Sequence, residues 1–172
     1  SMKLCVLGAG AWGTALAVAY AAEHEVRLWT RDALQAAELR ATHANERFLP
    51  GIALPPDIAV FDDIRAALDG CDLALVATPI VGLRATLEAV ARSDAPAVLW
   101  ACKGFEQGSG LLPHQVAREV LPPDLPHGAF SGPSFAIEVA RGLPTAITVA
   151  SGDLSFASSI VATLHSRRLR LY

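Results

Sequence analysis

The sequence predicts an α/β fold: a doubly wound, mostly parallel sheet with helices on both faces, filling one domain. Three observations carry this reading. Short β-branched or aliphatic runs alternate with Ala-rich segments of helical period from end to end, the order that places crossover helices between parallel strands. The first such run, KLCVLG at 3–8, passes directly into a glycine-rich turn and then into the alanine-rich stretch TALAVAYAAE. Finally, 172 residues with 52% hydrophobic content suit a single core, because a chain of this size buries about 70% of the surface its unfolded form exposes.

The elements follow in order. A strand over 3–8 leads to a helix over 12–23, and EVRLWT makes a strand over 25–30. Asp32 then opens a helix over 32–42, its carboxylate placed to accept helix N–H groups that have no partner within the helix. The stretch 44–57 (ANERFLPGIALPPD) breaks the alternation and reads as an ordered loop, since it carries apolar side chains as well as Pro and Gly. A short strand over 58–60 precedes Asp62-Asp63, read as a cap and a charged first turn for a helix over 62–68. Strands at 72–77 (DLALVA) and 97–102 (AVLWAC) flank a helix over 80–93. After a helix over 112–120 comes a second Pro/Gly-rich stretch, 121–133, containing a strand at 128–131. A helix over 134–141, a strand over 145–150 (TAITVA), a helix over 153–164 with Ser151 or Asp153 as cap, and a strand over 168–172 complete the chain.

Composition excludes several functions. With 17 acidic against 14 basic residues and a net charge of −3, there is no general field for nucleic acid. No apolar run is long enough to span a bilayer, and the N-terminus lacks the basic and apolar regions of an export signal, so the expectation is a soluble, cytoplasmic protein with no membrane partner. Ser1 ahead of Met2 reads as a remnant of tag removal. Cys5, Cys71 and Cys102 lie 66 and 31 positions apart, without metal-ligand spacing, and are expected to be buried free thiols. No metal site is expected.

Gly8-Ala9-Gly10-Ala11-Trp12-Gly13 is a G-x-G-x-x-G turn between a strand and a helix. Gly8 allows the tight turn, Gly10 lets the backbone approach a pyrophosphate, and Gly13 lets helix and strand pack closely, with Ala15, Ala17 and Ala19 keeping the helix thin. The N–H groups of a helix N-terminus hold the anion without any basic side chain. A flavin or another nucleotide on the same fold stays open at this point. Arg31, 18 positions after Gly13, stands where NAD-selective domains often place an acid. A guanidinium there pairs with a 2′-phosphate and favours NADP(H), while the adjacent Asp32 leaves NAD(H) open.

Two further strand ends carry chemistry. Lys103-Gly104 follows AVLWAC, and ligands of open α/β sheets bind at the carboxyl ends of strands. Ser131-Gly132-Pro133-Ser134 follows the next strand; Pro133 reads as a first helical residue, leaving Gly132 for close backbone approach and the Ser134 hydroxyl for a phosphate or polyol. Ser134 is not read as a nucleophile, for it has no G-x-S-x-G elbow.

Together GAGAWGTALA, NERFLPG (45–51), CKGFE (102–106), SGPSFAIEVA (131–140) and GLPTAITVAS (142–151) resemble the bacterial type of NAD(P)-dependent glycerol-3-phosphate dehydrogenase, in order along the whole chain. The resemblance implies a Rossmann-like fold in which Ala11, Trp12, Arg31, Lys103 and Ala136 contact the dinucleotide. It implies that Lys103, Gly132 and Ser134 contact sn-glycerol 3-phosphate or dihydroxyacetone phosphate, and that Pro79-Ile80-Val81 borders the nicotinamide. Lys103 would act on the C2 carbonyl, since a lysine supplies both a positive charge and a proton to a developing alkoxide. Members of the family use a second, principal catalytic lysine on a helix beyond the dinucleotide-binding domain, and commonly form homodimers.

This sequence has only two lysines, Lys3 and Lys103, and Lys3 opens the first strand. Residues 1–172 are therefore expected to be the cofactor-binding half, with a helical substrate domain absent, and to turn over little or nothing alone. Two other readings share the glycine turn: a non-catalytic dinucleotide sensor, and a dehydrogenase of another small keto or hydroxy acid. The five histidines have no carboxylate or Cys at useful spacing and are expected to be ordinary surface or loop residues. Arg167, Arg168 and Arg170 read as polar positions of an edge strand, whose alternating apolar residues are expected to face the absent domain.

Overall fold

Buried aliphatic runs dominate the strands of the computed structural model, which describes residues 1–132 and 135–172. The main sheet contains β1 (Lys3–Leu7), β2 (Glu25–Trp29), β5 (Ala59–Phe61), β6 (Leu73–Val76), β7 (Val98–Trp100), β8 (His127–Ser131), β9 (Thr145–Ala150) and β10 (Leu169–Leu171). Its spatial order is β10-β9-β8-β7-β6-β1-β2-β5. From β5 through β8 every pairing is parallel; β9 then runs antiparallel to β8, and β10 parallel to β9. The six parallel strands thus have the order of a dinucleotide-binding sheet, with β9 and β10 added at one edge. Every residue of β6 and all of β1 after Lys3 are buried, as a sheet covered on both faces requires.

The helices are α1 (Ala11–Tyr20), α2 (Ala33–Thr42), α3 (Ile64–Leu68), α4 (Ile80–Arg92), α5 (Pro113–Val120), α6 (Ala136–Ala140) and α7 (Leu154–Leu164). Two cores lie on opposite sides of the sheet. One joins Leu4, Val6 and Leu75 to α1 and α7; the other joins Cys5, Leu7 and Val76 to α3, α4 and α5. Alternate residues of β1 therefore feed opposite layers. Asp32 and Asp153 cap α2 and α7, accepting N–H groups of Leu34 and Gln35, and of Phe156; Asp63 caps α3 by accepting from Arg65. Ser151 is not the cap of α7, because the N-cap is Asp153; the Ser151 hydroxyl accepts the Asp153 N–H at 3.1 Å and donates to the His127 carbonyl at 2.6 Å.

Several expectations need correction. The stretch 44–57 is not only loop, because β3 (Ala44–Asn45) and β4 (Leu49–Ala53) form a small antiparallel hairpin. The chain enters it from His43, which ends α2 in a left-handed turn at φ 51° and whose carbonyl accepts the Leu54 N–H at 2.8 Å. The helix expected from 134 runs from Ala136, with Phe135 as N-cap; Pro133 and Ser134 lie outside the described residues. The apolar residues of β10 are not left uncovered, since Leu169 and Leu171 are buried in the core that includes α7. Cys5 and Cys71 are buried free thiols, but Cys102 is only half-buried. Among the described residues, no helix is long and apolar enough to cross a membrane.

Candidate functional site

Four neighbouring parallel strands, β8-β7-β6-β1, deliver their carboxyl ends to one edge of the sheet. At the end of β1, Gly8 has φ +121°, and a Cβ there would lie 2.9 Å from the backbone of Ala77 and Thr78 at the end of β6. A Cβ on Gly13 would strike the Gly8 carbonyl oxygen, so only hydrogen at Gly13 lets α1 start this close to the turn. Gly10, by contrast, has no atom within 4 Å of its Cβ direction; it is the N-cap of α1 and offers no side chain to the helix. The space a side chain would fill at the N-cap is thus left open, next to the first turn of a ten-residue helix whose first N–H groups have no partner within it. This is a cradle that fits a pyrophosphate.

Beside it lies a cleft of about 450 Å³ lined by Trp12, by Ala77 to Ile80, by Ala101 to Lys103, and by Gly132. Lys103 is exposed, and its Nζ donates to the Gly132 carbonyl oxygen at 3.2 Å. Two residues 29 positions apart are thus brought together, each at its own strand end. A Cβ on Gly132 would collide with Ile147 and come within 3.5 Å of the Trp12 ring, so glycine there brings the β8 end against α1 and β9. Ala11 and Trp12 occupy the first turn of α1, and Ala136 opens α6, which packs on α1. Pro79 and Ile80 line the cleft, whereas Val81 is 84% exposed and does not. Arg31 lies exposed just beyond β2. Lys3 opens β1, at the amino end of the strand that carries the glycine turn at its carboxyl end.

Sequence reasoning missed two supports of this site. Asn45, 3% exposed on β3, donates from Nδ2 to the Ala9 carbonyl oxygen at 2.9 Å and to Thr14 Oγ1 at 2.8 Å. Gln35 Nε2 donates to the same Ala9 oxygen at 2.8 Å. On the other side of the cleft, the loop after Lys103 is held by Arg84 of α4. Its Nε and Nη2 donate to both Glu106 carboxylate oxygens at 2.9 Å, and Nη2 also reaches Glu119 at 2.7 Å. The bidentate Arg84 guanidinium, aided by the Ser109 hydroxyl, holds the Glu106 carboxyl down to about 2. The only sequence signal for either support was the presence of Asn45 and Glu106 inside the quoted motifs NERFLPG and CKGFE.

Other candidates fall away on geometry. Cys102 lines the cleft, but burial pushes its thiol up to about 11, which leaves it a poor nucleophile near neutral pH. Burial likewise raises Cys71 to about 11. Two histidines serve the backbone as acceptors: His24 Nδ1 accepts the Met2 N–H, and His165 Nδ1 accepts that of Leu171. Among the described residues, no cluster of His, Cys, Asp or Glu is placed to hold a metal ion.

The chain is similar to known proteins over its whole length. The chain is 52% identical over 172 residues to a protein of Dechloromonas aromatica named as an NAD(P)+ glycerol-3-phosphate dehydrogenase, covering 99% of this chain and 52% of that protein. A crystal structure of glycerol-3-phosphate dehydrogenase from Coxiella burnetii superposes with a TM-score of 0.90 at 34% identity, covering 100% of this chain and 53% of that one. A pyrroline carboxylate reductase of Plasmodium falciparum, solved with NADP bound, shares the fold alone: its TM-score is 0.68 at 10% identity, over 100% of this chain and 57% of that one. The chain spans about half the length of the curated relatives it matches. Residues 3–157 match the model of the NAD-dependent glycerol-3-phosphate dehydrogenase N-terminus, and the chain belongs to that family.

Proposed function

We propose that this chain is the NADP(H)-binding part of a cytoplasmic enzyme that reduces dihydroxyacetone phosphate to sn-glycerol 3-phosphate, the precursor of glycerophospholipids. The observation that carries the reading is the meeting of Lys103 with Gly132 in the cleft beside the glycine turn. A dinucleotide sensor would not need Lys103-Gly104 together with the SGPSFA motif at 131–136.

The glycine turn and the start of α1 would bind the pyrophosphate, Arg31 the 2′-phosphate, and Trp12, Pro79 and Ile80 would shield the nicotinamide end from water. Ala136, at the start of the helix α6 that packs on α1, would close the same wall. When bound, the nicotinamide supplies hydride to the C2 carbonyl. Lys103 spends one of its three N–H donors on the Gly132 carbonyl, which orients the ammonium and leaves two donors for a substrate oxygen. Directed at the C2 oxygen, such a donor stabilises the charge that grows there as the alkoxide forms. Ser134 is assigned to the substrate phosphate on the family motif. A second, principal catalytic lysine would come from the part of the relatives' length that this chain does not span, and the whole protein would act as a homodimer.

Binding and turnover test the reading. Titration of the chain is expected to show NADPH bound more tightly than NADH, with Arg31→Ala reducing that preference by about tenfold, the scale of one charge-assisted hydrogen bond. Equal affinities in the unmodified chain would refute the role of Arg31. In the whole protein, Lys103→Ala should slow reduction of dihydroxyacetone phosphate by about 100-fold, and a loss below about threefold would remove Lys103 from the chemistry. Steady turnover by residues 1–172 alone would show that the principal lysine has been misplaced.

A further inference from the structure

The glycine turn gains access to a ligand at the expense of rigidity. Ala9 sits between two glycines, Gly8 at φ +121° and Gly10 in extended conformation, neither of which has a side chain to restrain the peptide between them. We propose that Asn45 is the positioning residue that restrains it, fixing the Ala9–Gly10 peptide so that its N–H stays turned toward the pyrophosphate; the proposal rests on the dinucleotide reading above.

The geometry is specific. A trans peptide is planar, with its carbonyl and N–H pointing in opposite directions. The Ala9 carbonyl oxygen accepts from Asn45 Nδ2 at 2.9 Å and from Gln35 Nε2 at 2.8 Å, which fills both of its lone pairs. The Gly10 N–H must then point away from Gln35 and Asn45, and among the described residues it donates to no other group. Asn45 also bonds Thr14 Oγ1 at 2.8 Å, while the Thr14 N–H donates to the Gly10 carbonyl at 3.0 Å. One buried amide therefore ties the turn to the first turn of α1, and the N–H groups of both move as one body. Gln35 is itself held, because its Oε1 accepts from the Thr30 hydroxyl at 2.6 Å. Asn45 arrives from outside the glycine motif, on the β3–β4 hairpin, which assigns that hairpin a task. Neither Asn45 nor Gln35 belongs to the G-x-G-x-x-G turn that they hold.

Binding measurements on the 172-residue chain separate this role from mere stabilisation. Asn45→Ala should weaken NADPH and NADH by the same factor, about tenfold, the affinity equivalent of one hydrogen bond. Adenosine 2′-monophosphate, which has no pyrophosphate, should lose less than about twofold, within the effect of surface changes away from a contact. Thr14→Val removes the tie to α1 but keeps the Ala9 bond, and should weaken NADPH and NADH equally but by less than Asn45→Ala does. If Asn45→Ala does not fold, Gln35→Met, which removes the other donor from a half-buried side chain, must show the same equal loss for both dinucleotides. Unchanged affinity in the folded variant would overturn the proposal, as would a loss for adenosine 2′-monophosphate as large as that for NADPH. Failure of the unmodified chain to bind either dinucleotide would instead bring down the dinucleotide reading itself, and the proposal with it.

Discussion

At one end of the cleft the glycine turn is held by neutral hydrogen bonds from buried Asn45 and half-buried Gln35, whereas at the other the Lys103 loop is held by ion pairs nearer the surface. Asn45 is 3% exposed; the side chains of Arg84, Glu106 and Glu119 are 33%, 17% and 53% exposed. The backbone differs in the same sense. Gly13 is glycine because there is no room for a methyl group, while Gly104 has φ +96° in open space, so only its dihedral angle asks for glycine. The difference matches the demands that the proposed function sets on each end. A pyrophosphate held by backbone N–H groups needs them aimed before it arrives, since they cannot reorient once the helix has formed. A lysine on a flexible four-carbon stem tolerates a looser base, and needs only that the loop bring it over Gly132.

The largest expected effect that could break this comparison is steric. Gly13→Ala places a methyl group on the Gly8 carbonyl, and both groups are backbone-fixed, so the loss should reach about 3 kcal/mol or more in urea unfolding. Gly104→Ala meets no atom within 4 Å and should cost about 1 kcal/mol, the strain of a side chain at positive φ. Equal losses would mean that the two ends are built alike.

How far the sequence reveals each end follows from the range of the interactions. Strand and helix order was legible almost throughout, because alternating runs and the Asp32, Asp63 and Asp153 caps are local signals. The β3–β4 hairpin was not, since Pro50 and Gly51 lie within β4 and read as turn residues rather than strand. At the site, Gly8, Gly10 and Gly13 were legible because six consecutive residues carry the whole pattern. Lys103 and Gly132 could each be read as strand ends, but not as partners. The supports were invisible for a stronger reason: Asn45 finds Ala9 across 36 positions and Arg84 finds Glu106 across 22, and neither pairing leaves a mark on local spacing. Leu169 and Leu171 erred the other way, as an alternating pattern shows that one face is covered but not by which part of the molecule.

A smaller effect sharpens the contrast through salt. Raising ionic strength from about 0.1 M to about 1 M shortens the Debye length from about 10 Å to about 3 Å, and exposed ion pairs weaken accordingly. The Gly110 N–H, which donates to the Glu106 carbonyl at 2.8 Å, should then exchange with solvent about threefold faster, as expected where a surface pair supports a loop. The Thr14 amide, held inside the neutral network, should not change. Equal acceleration of both amides would show that the ion pairs have no particular hold on the Lys103 loop.

The smallest effect is in pH, and it is informative because its sign is fixed. Glu106 has its carboxyl lowered from the ordinary 4.5 to about 2 by the Arg84 guanidinium first and the Ser109 hydroxyl second. Its contribution to loop stability is fully present above pH 4.5 and declines only as pH falls from there toward 2. The glycine-turn network of Ala9, Thr14, Gln35 and Asn45 contains no group that titrates in this range and should not respond. The measurement is the Gly110 exchange rate of the unmodified chain relative to Glu106→Gln, in which the charge is absent, with each rate corrected for its intrinsic pH dependence. At roughly pH 3.5, where an unpaired glutamate is already mostly protonated, the protection given by Glu106 should still exceed half its value at neutral pH. Protection already gone at that pH would mean that Arg84 does not hold the carboxylate in solution. The Lys103 loop would then be shaped by its glycines and its own hydrogen bonds.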